Sequence, residues 1–273
     1  MEWWQAILLG IVQGLTEFLP VSSSGHLMLF RELLGVDAEG FLDFTVSVHF
    51  ATVLSTLVVF WSCIWSLLKG LFKFKYNDET DYICKLLVSM IPVAIVGFFF
   101  KDAVEALFAD NLHTVAICLL ITALLLFCSD VFGKKRECTI PAQQHRNGIS
   151  FLQAFVVGIG QACAVAPGLS RSGTTISTGL LAGVKREEMA KFSFLMVLVP
   201  IVGEQCLTIL ESVTSEATLS SGIGLLPLLL GALSAFLAGL FACKAMIALV
   251  KKARLSWFAL YCMIVAILIF VLA

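Results

Sequence analysis

Six apolar runs, near residues 45–68, 83–100, 114–132, 192–210, 222–243 and 255–272, are long enough to cross a bilayer and are joined by connections too short to hold a soluble domain. Of the 273 residues, 59% are hydrophobic and 14% charged, and the mean hydropathy is +0.98. A soluble domain carries roughly 25% charged residues, so the composition is that of an integral membrane protein. We read residues 1–273 as one membrane domain. The formal net charge is -1, and the basic residues are scattered over short loops rather than gathered in a run, which argues against a nucleic-acid partner. The start, MEWWQAILLG, lacks the basic and small-residue signals of a cleaved leader, so the N-terminus is expected to be retained, with Trp3 and Trp4 as interfacial anchors. Trp61, Trp65 and Trp257 fit the same belts. The nine cysteines include no CxxC pair; those inside apolar runs (Cys63, Cys118, Cys128, Cys163, Cys206, Cys243, Cys262) are expected to be small core residues.

Loop charge orients the spans. Lys69, Lys73, Lys75 and Lys85 cluster in one connection, Lys134, Lys135, Arg136 and Arg146 in another, and Lys251, Lys252 and Arg254 in a third. These should face the cytoplasm, with Lys85 snorkelling to the interface from the end of its span. The acidic connections, with Asp102, Glu105 and Asp110 or with Glu211 and Glu216, should face outward.

Two regions do not fit as spans. Pieces near 151–166 and 174–184 are separated by PGLSRSG and begin and end beside basic residues. At 1.5 Å per residue the second piece is about 16 Å long, half of a roughly 30 Å hydrocarbon core, which predicts a re-entrant helical hairpin. The N-terminal segment has the same form, with pieces near 3–18 and 26–35 around PVSSSG, but it leads to Glu32, Asp37, Glu39 and Asp43 and so enters from the opposite face.

The two regions are copies. Shifting the chain by 148 positions lays Gln5, Ala6, Gly10, Ile11, Gln13, Ser22, Ser24 and Gly25 on Gln153, Ala154, Gly158, Ile159, Gln161, Ser170, Ser172 and Gly173. The expected fold is therefore an all-α integral membrane protein: an inverted-topology repeat (about 1–130 and about 150–273) with six transmembrane helices and two re-entrant helical hairpins meeting near the midplane. Irregular backbone at that depth is tolerated only where it lines an enclosed or watered cavity, so the polar breaks mark a site.

Each break places Pro, Gly and Ser before a new helix whose first N–H groups lack partners, which makes an anion receptor. Arg171 adds a planar guanidinium suited to phosphate, and Ser170, Ser172, Thr174 and Thr175 add donors. An arginine at such depth costs about 2.5 to 3.5 kcal/mol on insertion scales, which argues for function; the plain structural reading is a pairing with Glu17 across the repeats. In the first break Glu17 can act as a base or hold a divalent cation, His26 can relay a proton or orient a hydroxyl, and a base beside Ser22, Ser23 and Ser24 can activate one as a nucleophile. Helix capping is the plain reading of each serine. Gln13, four residues before Glu17, shares its helical face and can add a carbonyl ligand. His49 and Glu204 fall within predicted spans and are expected to line the cavity, whereas His113 and His145 sit in loops.

The motifs QGLTEFLPVSSSGH and PGLSRSGTT, in this order, resemble the two signatures of the bacterial undecaprenyl-diphosphate phosphatases of the bacitracin-resistance type, and the resemblance covers nearly the whole chain. It implies hydrolysis of the lipid carrier diphosphate to the monophosphate and inorganic phosphate, recycling the carrier for cell-envelope polymers. It further implies a divalent cation, Mg2+ or Ca2+, and a site open to the outer side of the bacterial plasma membrane. Carried onto matching positions, Gln13 and Glu17 form the E/Q-x-x-x-E pair and tentative metal ligands. Glu17, Ser23, His26 and Arg171 fall in catalysis, and Ser22, Ser24, Gly25, Gly168, Ser170, Ser172, Gly173, Thr174 and Thr175 in substrate binding. Gln13 stands where many members carry Glu, and Cys262 where a basic residue is expected. The partners are undecaprenyl diphosphate and membrane lipid, with a homo-oligomer left open. A transporter or flippase of a lipid phosphate or small anion would use the same architecture, but needs no nucleophile.

Overall fold

Helices satisfy their backbone polar groups within one segment, which is what an apolar surround demands. The structure, a computed structural model, describes residues 1–38, 40–100, 112–139, 146–166, 168–214, 223–252 and 254–272, with side chains described outside 134–139, 204–214, 251–252 and 272. The described residues form ten α-helices: α1 (Trp3–Phe18), α2 (Ser23–Leu33), α3 (Phe41–Leu71), α4 (Asp78–Phe99), α5 (Leu112–Thr139), α6 (Phe151–Cys163), α7 (Arg171–Leu181), α8 (Arg186–Thr214), α9 (Leu225–Lys252) and α10 (Ser256–Leu272). No strand occurs among them.

Among the described residues, four helices are long and apolar enough to cross a membrane: Phe41–Leu71, Asp78–Phe99, Leu112–Gly133 and Leu225–Val250. Six spans were expected. Of the other two, α10 is apolar but 17 residues long, and α8 carries its C-terminal side chains, including Glu204 and Cys206, outside the described residues. His145 lies outside them too.

The interrupted segments are two helix-break-helix units, α1–α2 and α6–α7. Pro20 disfavours helix at Leu19, whose backbone is extended (φ -74°, ψ 145°), and so ends α1. The second helix of each unit begins three residues before the expected piece, because Ser22 and Ser170 act as N-caps: their hydroxyls accept from the Gly25 and Gly173 N–H groups at 3.3 and 3.1 Å. Ser23 and Arg171 thus open helices instead of sitting in loops.

Hydrogen bonds recur 148 residues apart. The Gln5 side chain accepts from the Glu2 N–H (2.7 Å) and donates to the Leu34 carbonyl (3.0 Å); Gln153 accepts from Ser150 N–H (2.9 Å) and donates to Ala182 (3.0 Å). Both units close on a left-handed glycine, Gly35 (φ 61°) and Gly183 (φ 86°). The packing alternates likewise, α1 lying against α9 and α6 against α4, with α5 beside α10. These crossings are close. A Cβ on Gly158 would sit 2.3 Å from the Ser89 carbonyl oxygen, and one on Gly10 would sit 2.3 Å from that of Gly231.

One apolar core joins α5, α7, α8 and α10 through Leu119, Ile176, Met196 and Cys262, and a second joins α1, α3 and α9 through Leu9, Phe44 and Ala235. Ionic latches tie loop ends to it. Lys85 does not snorkel: it is buried, with Nζ donating to Asp81 (2.5 Å) and to the Arg146 carbonyl (2.6 Å), because those partners satisfy the ammonium inside the protein. Asp130 accepts from Arg186 (2.5 Å) and from the Ser256 hydroxyl (2.5 Å), linking α5, α8 and α10. Of the cysteines, Cys118, Cys243 and Cys262 are buried, but Cys163 is exposed and Cys63 and Cys128 half-buried, Cys63 packing against the edge of the first core. Trp3, Trp4, Trp61, Trp65 and Trp257 are exposed.

Candidate active site

Glu17 stands on the last turn of α1, one turn after Gln13. Gln13 Nε2 donates to Glu17 Oε2 at 2.8 Å, and Ser23 Oγ, from the first turn of α2, donates to the same oxygen at 2.6 Å. The hydroxyl proton of Ser23 therefore already points at a carboxylate. From α3, His49 uses Nδ1–H on the Thr45 carbonyl (2.8 Å), leaving Nε2 toward Glu17 at 3.7 Å.

The residue before Ser23 has an unusual backbone. Ser22 has φ 69° and ψ 98°, a left-handed conformation that costs an L-residue on the order of 1–3 kcal/mol. Its carbonyl accepts from the His26 ring Nδ1 (2.7 Å) and backbone N–H (3.2 Å). The other ring nitrogen of His26 meets the Tyr261 hydroxyl at 2.8 Å.

The two breaks touch. The Gly168 N–H donates to Ser24 Oγ (3.3 Å), and Ser172 Oγ donates to the Leu19 carbonyl (3.3 Å). Ser24 and Ser172 are repeat mates, so each break is held by the matching serine of the other half. The Ser170 N–H is taken by Thr122 Oγ1 (3.1 Å) and the Pro20 carbonyl by the Cys262 thiol (3.6 Å). Gly173 permits the approach: a Cβ there would lie 3.3 Å from that of Pro20.

Beside this junction lies an open cavity of about 450 Å³, counting the solvent at its mouth. Its polar wall is Glu17, Arg171, Ser172, Thr52, Thr56 and Ser193; its apolar wall is Phe18, Val53, Phe194, Val197, Leu198 and Ile201. Glu17 and Arg171 share the chamber, yet among the described residues no ion pair joins them. Arg171 stays within electrostatic reach of Glu17 without a direct contact, and both residues line the cavity.

The remaining candidates divide. Ser172 lines the chamber; Ser23 adjoins it through Glu17. Ser22 and Ser170 are caps, Ser24 bridges the breaks, and Gly25, Gly168 and Gly173 are points of close backbone approach. Thr175 is spent on Ser193 Oγ (2.6 Å) and Thr174 is buried with its hydroxyl unpartnered. His26 is buried and not part of the cavity wall. Thr52, Thr56, Ser193 and Tyr261 were not singled out from sequence. Thr45, His49, Thr52 and Thr56 recur at helical spacing on one stripe of a mostly apolar helix, a signal that points to three of the cavity's neighbours.

For a divalent cation the donor set is small. Among the described residues no three Asp, Glu, His or Cys side chains converge. Glu17 offers a carboxylate, and the Gln13 amide oxygen is buried without a partner. One carboxylate and one carbonyl fit a hard ion that takes its other ligands from substrate phosphate and water, as Mg2+ does.

A multi-pass helical membrane protein whose chamber is lined by an arginine and by a carboxylate that accepts a hydrogen bond from an adjoining serine is the class that fold and site define. Residues 6–268 match the family described as Bacitracin resistance protein BacA. The chain is 49% identical over 273 residues to the undecaprenyl-diphosphatase of Bacteroides fragilis, covering 100% of this chain and 99% of that one. It is 50% identical over 264 residues to the enzyme of the same name from Parabacteroides distasonis (97% and 96% covered), and 36% identical over 273 residues to that of Halothermothrix orenii (100% and 99%). The chain belongs to the bacitracin resistance protein BacA family.

Proposed function

We propose that this protein hydrolyses undecaprenyl diphosphate to undecaprenyl phosphate and inorganic phosphate, returning the lipid carrier to cell-envelope polymer synthesis. The observation that carries the chemistry is the 2.6 Å hydrogen bond from Ser23 Oγ to Glu17 at a chamber that also holds Arg171. Ser23 Oγ attacks the terminal phosphorus while Glu17 takes its proton. The bond from that phosphorus to the bridging oxygen breaks, and undecaprenyl phosphate leaves with the electron pair. Water then attacks the phosphoserine, releasing inorganic phosphate and restoring the hydroxyl. The Arg171 guanidinium, the Ser172 hydroxyl and the free N–H groups at the starts of α2 and α7 neutralise the phosphate oxygens. Glu17 and the Gln13 amide oxygen would hold the divalent cation, which supplies further charge neutralisation on those oxygens. The prenyl tail lies along the apolar wall between α3 and α8.

The same reading places the chain in the bacterial plasma membrane as an inverted repeat. In it α3, α4, α5, α8, α9 and α10 cross, α1–α2 and α6–α7 re-enter from opposite faces, and the chamber opens outward. The paired hydrogen bonds 148 residues apart and the alternation of loop charge support it.

The test is phosphate release by purified protein in detergent from undecaprenyl diphosphate and Mg2+. Release that disappears in Arg171→Ala is expected; no release from the wild-type protein, with lipid phosphate moved across vesicles instead, would favour transport.

A further inference from the structure

We propose that His26 and Tyr261 are positioning residues, a clamp that holds Ser22 in its left-handed conformation and thereby aims Ser23. This rests on the reading of Ser23 as the nucleophile. A carbonyl oxygen only accepts, so the 2.7 Å contact to Ser22 O puts the ring proton of His26 on Nδ1. In the neutral ring Nε2 is then bare, and it accepts from the Tyr261 hydroxyl at 2.8 Å. The two rings stack, 5.6 Å between centroids and 7° between planes. Both nitrogens are spent, the side chain is buried, and it lies off the chamber wall, so His26 has nothing left with which to move a proton for the substrate.

The second half is an internal control. Ser170, the mate of Ser22, has an ordinary extended backbone (φ -69°, ψ 115°). Thr174, the mate of His26, keeps the backbone hydrogen bond to that carbonyl (2.8 Å) but has no ring to add a second, and its hydroxyl is unpartnered. The left-handed residue and the reaching imidazole occur together, in the half that carries the serine on a carboxylate.

The clamp is separable from proton transfer by two amides. In His26→Asn the side-chain N–H falls where Nδ1 is, in reach of the Ser22 carbonyl; in His26→Gln it falls near Tyr261 and out of reach. With undecaprenyl diphosphate and Mg2+ in detergent, His26→Asn is expected to keep kcat within about fivefold of wild type, and His26→Gln to lose about 10- to 100-fold, the scale of one buried hydrogen bond, with KM unchanged in both. Tyr261→Phe is expected to lower kcat about three- to tenfold, and to have no further effect in the His26→Asn background. Asn and Gln variants equally inactive, equally active, or ranked the other way would overturn the clamp, as would unchanged kcat in Tyr261→Phe should neither His26 variant fold. A wild-type protein that releases no phosphate refutes the phosphatase reading instead. The clamp is then judged by the 15N spectrum of histidine-labelled protein: the resonance lost in His26→Asn must show an Nδ1-protonated ring, and an Nε2-protonated one overturns the proposal.

Discussion

Ser23 and Arg171 occupy one register position, the first residue of the second helix in each break, 148 apart in the chain. The repeat puts two helix N-termini at one junction, with a serine opening one helix and an arginine the other, the residues that the proposed function uses as nucleophile and anion clamp. Glu17 has Val165 as its mate and His26 has Thr174, so carboxylate and imidazole are likewise confined to one side. Arg171→Ala is expected to lower kcat/KM about 10²- to 10³-fold, the usual loss when one preorganised donor to a developing phosphate charge is removed. Arg171→Lys keeps the charge but loses the planar fork and should fall between, about tenfold down, as phosphate-release kinetics will show. Ser23→Ala should yield no acid-quenched phosphoprotein from labelled substrate, and a variant with wild-type turnover would exclude the covalent route.

At the level of helices, the breaks depend on short contacts that leave no room. Gly158 rests on the Ser89 carbonyl, so Gly158→Val should lower thermal stability in detergent by about 1–3 kcal/mol through overpacking, whether or not turnover is measured. Ser170→Ala removes the cap on α7 at about 1 kcal/mol, with the junction loosened around Arg171. The existence of both interrupted units was legible because their cause is local: Pro20 and the Pro-Gly-Ser clusters interrupt an apolar pattern at a length too short to span. Their starting residues were not, since a serine as N-cap and a serine in a loop look alike until the following N–H groups are placed.

For the molecule as a whole, the latches at the loop ends decide which faces stay together. Asp81→Ala would strand the buried Lys85 ammonium and is expected to cost about 3–5 kcal/mol in thermal unfolding, whereas replacing both residues by apolar ones of similar size should cost far less. Orientation is open to labelling: in a cysteine-free background, Asp37→Cys should react with an impermeant maleimide in intact cells, and Lys75→Cys only after permeabilisation. Both positions are exposed, so equal reactivity would refute the inverted arrangement. Sequence alone determined that the chain is helical and membrane-embedded, and it showed an internal repeat whose breaks single out Glu17, the serines Ser22, Ser23 and Ser24, and Arg171 as candidates, because hydropathy, repeat offset and out-of-place polar groups are properties of the chain order. Tertiary structure decided that His49 stands by Glu17, that Tyr261 engages His26 across 235 residues, and that Lys85 is paired inside. Those are choices among partners far apart in the chain, made by helix packing, which no local pattern encodes.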